Sequence, residues 1–127
     1  GDRLGHTKEA RAVNSHRFSH LCHMLDQQNQ SVVASALSIF PDWQKWNRDN
    51  FSQYFEVFLD VPLETVIERD SKGIYKRALS GEMDNVVGID IPFPKPPHPD
   101  MTFSGVDALQ PADDIADAIF AQIEDRL

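Results

Sequence analysis

The stretch Phe55-Glu56-Val57-Phe58-Leu59-Asp60-Val61-Pro62-Leu63-Glu64-Thr65-Val66-Ile67 decides the fold class. Apart from Glu56, its residues up to Asp60 are aromatic, aliphatic or β-branched, which is the composition of a strand. Pro62 then stands where a first helical turn tolerates it, because that N–H would have no intrahelical acceptor. Leu63, Val66 and Ile67 follow at helical spacing. A strand running straight into a helix is the repeating unit of a parallel sheet.

The alternation continues outward on both sides. Upstream, residues 12–29 read as an amphipathic helix with Phe18, Leu21, Cys22 and Leu25 on its apolar face. Ser31-Val32-Val33-Ala34-Ser35-Ala36-Leu37 has the near-continuous apolar character of a strand buried on both faces. Residues 42–53 read as a second helix, with Trp43, Trp46 and Phe51 available for burial. Downstream, residues 71–81 form a short basic helix or loop, and the proline-rich residues 90–99 must run extended at the surface. Met101-Thr102-Phe103 suggests a third short strand. A final helix starts at Pro111, with Asp113 and Asp114 in its first turn and Ile115, Ile119, Ile123 and Leu127 every four residues. The expectation is one α/β domain over residues 1–127 with a mainly parallel sheet. Three strands make a poor parallel sheet, so further strands are expected before Gly1.

The chain has 127 residues, 41% hydrophobic and 25% charged, with a formal charge of −8. That balance speaks against non-specific binding to nucleic acid or acidic lipid, so an anionic ligand would need a local basic cluster. Cys22 is the only cysteine and reads as core packing. No apolar run approaches the ~20 residues of a membrane span, and a reduced, cytoplasmic setting is the default expectation.

Three clusters could carry chemistry. Glu68-Arg69-Asp70-Ser71-Lys72-Gly73-Ile74-Tyr75-Lys76-Arg77 is either a solvated helix face or a lid whose cations close over phosphates. Val86-Val87-Gly88-Ile89-Asp90-Ile91-Pro92-Phe93 is either a plain loop or part of a site. Arg11, Asn14 and Arg17, three residues apart, make either a solvent face or an anion-binding edge.

Taken in order and spacing, these clusters resemble the adenylylsulfate kinase family. The matching segments are Phe55 to Glu64, Arg69-Asp70-Ser71-Lys72-Gly73-Ile74-Tyr75, Gly88-Ile89-Asp90-Ile91-Pro92-Phe93 and, upstream, Leu4 to Arg17. Gly1-Asp2 looks like the end of the family's Asp-Gly-Asp motif. The resemblance implies a three-layer P-loop kinase fold, with ATP and Mg²⁺ as cosubstrates and phosphoryl transfer to the 3′-hydroxyl of adenylyl sulfate in sulfate activation. It implies that Asp2 lies near the metal or the acceptor hydroxyl, as the candidate base or positioning group and the candidate ligand of Mg²⁺. Arg11, Asn14 and Arg17 would hold the acceptor nucleotide, with Leu37 and Ser38 beside its base and Gly88, Ile89 and Asp90 in the facing loop. Lys72, Lys76 and Arg77 would form the lid, with Lys72 catalytic and Arg69 towards ATP. A homodimer is compatible with it; nucleic-acid and membrane partners are not expected.

The sequence departs from the family pattern in three ways. It contains no G-x-x-x-x-G-K-[ST] loop, so the cradle for ATP phosphates is absent from these residues and Gly1 is expected not to be the native start. The spacing from Asp2 to Leu4-Gly5 is shorter than the family's. His6 and Val86 occupy positions where the family clamps adenine between phenylalanines, which opens an alternative acceptor such as cytidine diphosphoramidate, used in capsular polysaccharide modification. A non-catalytic nucleotide-binding fragment is the rival of another class.

Overall fold

Residues 5–127 are described in a computed structural model; Gly1, Asp2, Arg3 and Leu4 lie outside the described residues, and so does the expected base Asp2. In chain order the elements are α1 (Lys8–Asp26), α2 (Pro41–Asn50), β1 (Val57–Asp60), α3 (Leu63–Glu68), α4 (Ile74–Leu79), β2 (Met101–Ser104) and α5 (Ala112–Ile123). They form two compact units. One comprises residues up to Tyr54 with Lys72–Pro96, the other Phe55–Ser71 with Pro97–Leu127.

In the first unit, α1 begins at Lys8 rather than residue 12 because Thr7 caps it, its Oγ1 accepting the Ala10 N–H at 3.2 Å. It ends where Asn29 turns left-handed (φ 57°) and the Gln30 N–H returns to the Leu25 carbonyl at 3.0 Å. Pro41 opens α2 at its first position.

The two helices pack through rings, not through the expected apolar face. His16 stacks on His20 at 4.3 Å, His20 on Trp46 at 4.8 Å, and His16 meets Trp43 edge-on at 5.1 Å. Of the expected face, Cys22 is buried and its thiol pKa is pushed up by that burial, whereas Leu21 is 50% exposed. Imidazoles count as polar in a hydropathy pattern but pack as aromatic plates, which is why the periodicity misassigned the face.

Residues 31–37 form no strand. They are irregular, and Val33 is 99% exposed. An apolar run becomes a strand only where neighbouring backbones complete its ladder, and no strand lies beside it among the described residues. The unit's core follows directly: Ile39, Val87 and Ile91 are buried together, with Phe40 and Phe93 packed against them.

Asp26, at the end of α1, ties down the chain after α2. Its Oδ1 accepts the Ser52 hydroxyl at 2.5 Å and its Oδ2 the Ser52 N–H at 2.9 Å, and these bonds hold the carboxyl below its ordinary value. A depressed folded pKa contributes stability that is present above the unfolded value and lost as pH falls through the folded one. Asp26→Asn is therefore expected to lower the melting temperature near neutral pH. The gap to the parent should close below about pH 4. Thermal melts across that range check it; a gap that stays constant would refute the assignment.

In the second unit, β1 and β2 are parallel, pairing Val57 with Met101 through Asp60 with Ser104. The parallel sheet is thus present, two-stranded among the described residues. Asp100 seals the ladder's start, its Oδ2 accepting the Glu56 N–H at 2.7 Å. Phe103 is buried, and Ile115, Ile119 and Ile123 of α5 form the expected half-buried stripe, while Leu127 lies beyond the helix and is exposed.

Candidate functional site

Four α1 residues, Arg11, Asn14, Ser15 and Phe18, line a groove of about 260 Å³ completed by Ser35, Ala36 and Leu37. At ~100° per residue, positions 11, 14, 15 and 18 fall within a single stripe of the helix. The groove thus offers a cation, an amide and two hydroxyls beside an aromatic ring and two aliphatic side chains. That mix suits a ligand that is partly anionic and partly planar and apolar.

Arg11 is fixed before any ligand arrives. Its Nε donates to the His6 carbonyl at 2.8 Å and its Nη2 to the Asn85 carbonyl at 3.0 Å. Asn85 opens a tight loop in which it is left-handed (φ 63°), as is Gly88 (φ 93°). The Val86 carbonyl accepts the N–H groups of Ile89, Asp90 and Ile91, and the Gly88 N–H returns to the Ile91 carbonyl at 2.8 Å. The Asp90 carboxylate closes the loop, its Oδ2 accepting the Asn85 N–H and its Oδ1 the Val86 N–H, both at 2.7 Å. Those two N–H groups, aided by the Arg11 charge, hold the Asp90 carboxyl below its ordinary value.

Of the expected residues, Arg11, Asn14 and Leu37 come together in the groove, and the loop of Val86, Gly88, Ile89 and Asp90 is tied to it through Arg11. His6 meets the site through its backbone while remaining exposed. Val86 is only 6% exposed, so its side chain packs inward rather than presenting a face to a ligand. Ser38 follows Leu37, but its hydroxyl accepts from Gln44 Nε2 at 3.0 Å. Arg17 does not line the groove. Six residues on from Arg11, it lies roughly 120° round the helix. Lys72, Lys76 and Arg77 are exposed on and just before α4, whose start is turned by left-handed Gly73 (φ 65°). Arg69 belongs to the second unit, capping the end of α3.

Ser15, Phe18, Ser35 and Ala36 are the groove residues that sequence reading missed. The seven-residue step from Arg11 to Phe18 returns to within ~20° on a helix and was the available signal. Among the described residues no three His, Cys, Asp or Glu side chains gather as a metal site, so the Mg²⁺ assignment stands on Asp2 alone. No helix of the described residues is long and apolar enough to cross a membrane.

Known proteins are similar to this chain in sequence and in fold. A solved structure of the Mycobacterium tuberculosis APS kinase in complex with AMPPNP and APS superposes with a TM-score of 0.74 at 31% identity, covering 91% of this chain and 70% of that one. The Marinobacter nauticus adenylyl-sulfate kinase is 31% identical over 97% of this chain and 62% of its own length. The Campylobacter jejuni cytidine diphosphoramidate kinase is 39% identical over 57% of this chain and 42% of its own. The chain spans about half the length of the curated relatives it matches. The α/β fold is that of the P-loop kinases. The family model for adenylylsulphate kinase matches residues 1–104, taking in α1, the groove, the 85–91 loop and both strands, and by that match the chain belongs to the adenylylsulphate kinase family.

Proposed function

We propose that residues 1–127 are an adenylylsulfate kinase-like domain serving an ATP-dependent phosphotransferase, with adenylyl sulfate as acceptor and a cytoplasmic setting. The observation that carries this reading is the groove with Arg11 anchored at one end. A guanidinium has five N–H donors. Two are spent on the His6 and Asn85 carbonyls, which orients the rest for an anionic group at no further ordering cost. Asn14 adds an amide, and Leu37 and Phe18 supply apolar wall.

In the proposed reaction the acceptor 3′-hydroxyl oxygen attacks the γ-phosphorus, the bond to the bridging oxygen breaks, and ADP leaves. The hydroxyl proton passes to a base, for which the family resemblance nominates Asp2. Lys72, Lys76 and Arg77 would close over the phosphates, excluding water and balancing charge, with Arg69 on the ATP side. Mg²⁺, when bound, would neutralise phosphate charge, and the described residues gather no cluster of three His, Cys, Asp or Glu side chains to hold it. The 127 residues contain no P-loop, so this chain's own residues speak to the acceptor side and the lid.

The test is a coupled assay of the full-length protein with ATP, Mg²⁺ and a panel of nucleotide acceptors. Adenylyl sulfate is expected to give the highest kcat/KM. Faster turnover of a cytidine diphosphate analogue would transfer the reading to that acceptor. No turnover with any acceptor would leave a nucleotide-binding module.

A further inference from the structure

Asp90 looks like a ligand contact by its place in the motif, yet both its carboxylate oxygens are engaged by consecutive backbone N–H groups of its own loop. We propose that Asp90 is a positioning residue that sets the direction of the Arg11 guanidinium, and so the affinity for the anionic part of the nucleotide acceptor. The inference rests on the acceptor reading of the groove.

The chain of contacts is short. Capping the Asn85 and Val86 N–H groups together fixes the peptide plane between them. With Asn85 held left-handed, its carbonyl is the one that meets Arg11 Nη2 at 3.0 Å. The inward-packed Val86, beside the Ile39–Val87–Ile91 core, prevents the loop from adjusting as a free segment would. Among the described residues, the other fixed point of Arg11 is the His6 carbonyl. A guanidinium held at two points has one orientation; held at one, it swings about that bond and must be reordered by the ligand. Asp90 brings a negative charge to this loop through two short bonds, and these are the charge-assisted kind that outlast neutral ones.

The experiment compares Asp90→Ala and Asp90→Asn with the parent full-length protein. Asp90→Ala is expected to raise KM for the acceptor about tenfold while KM for ATP stays within about twofold. Asp90→Asn, which keeps one acceptor oxygen, should fall between. In an Arg11→Ala background, removing Asp90 should add little, because the orientation it controls has gone. An unchanged acceptor KM, equal rises in both KM values, or full additivity with Arg11→Ala would overturn the proposal. A readout independent of turnover separates it from the functional reading. NMR exchange of the Arg11 Nε–H and the Val86 amide should accelerate in Asp90→Ala even if the parent phosphorylates nothing. Unchanged protection of Arg11 would refute the positioning role, whereas an inactive parent would refute the kinase reading alone.

Discussion

Arg11→Ala is expected to cut kcat/KM for the nucleotide acceptor by about two to three orders of magnitude. Charge-assisted hydrogen bonds contribute roughly 1.5–3 kcal/mol each, and each ~1.4 kcal/mol is a factor of ten. An anion in the groove would lose at least one such bond. The 85–91 loop would lose its tie to α1 through the Asn85 carbonyl as well. The two losses together give the range stated. Arg11→Lys should recover little. An ammonium on a flexible stem cannot meet two fixed carbonyls and an anion in one plane. KM for ATP should move less than about twofold, since no described contact links Arg11 to the segment carrying Lys72, Lys76 and Arg77. Steady-state kinetics of the full-length protein decide the matter. A fall in acceptor kcat/KM of less than about threefold would remove Arg11 from the binding machinery.

Ile39→Ala should produce the largest loss of stability, about 2–4 kcal/mol, by the usual cost of emptying a packed aliphatic site. Ile39 is buried against Val87 and Ile91, with Phe40 and Phe93 around them, and this is a small core with few neighbours able to collapse into the space. The damage should reach the site. Val87 and Ile91 bridge the two ends of the loop that Asp90 closes, so loosening them frees the Asn85 carbonyl. Urea denaturation of the variant measures the first effect, and the acceptor KM the second. Ile39→Val should cost about 1 kcal/mol and leave the KM alone. A loss below about 1 kcal/mol for Ile39→Ala would mean that the cluster is not what holds the loop.

How far the sequence could be read depended on whether a signal was local. The strand at Val57, the helix start at Pro62 and the helix from Ala112 each lie within a few residues of their cause. Residues 31–37 failed because strand formation is decided by neighbours rather than by composition. The packing side of α1 was not legible from its aliphatic spacing, because the rings of His16, His20 and His23 carry the contact with Trp43 and Trp46. At the site, Arg11 and Asn14 were legible from motif and spacing. Arg17 belonged to the same arithmetic series but not to the same face, and Phe18 belonged to the face but looked like core. No pattern of residue types revealed that the Asp90 carboxylate is used up on its own backbone. That is a matter of loop geometry, set by two left-handed residues at 85 and 88.

The parallel pairing of β1 with β2 has a kinetic price. Glu56 and Asp100, whose contact seals the ladder, are 44 residues apart, whereas the turns of α1 and α5 close over three or four. Bringing distant ends together costs chain entropy that grows as (3/2)RT ln n, and it must be spent before any ladder bond forms. Helical turns form in under about a microsecond, while pairing of high sequence separation waits for the chain to find itself. In refolding, the strand amides of Val57–Asp60 should therefore be among the last to gain protection. The Asp100 cap on Glu56 acts as the latch that makes so remote an encounter persist.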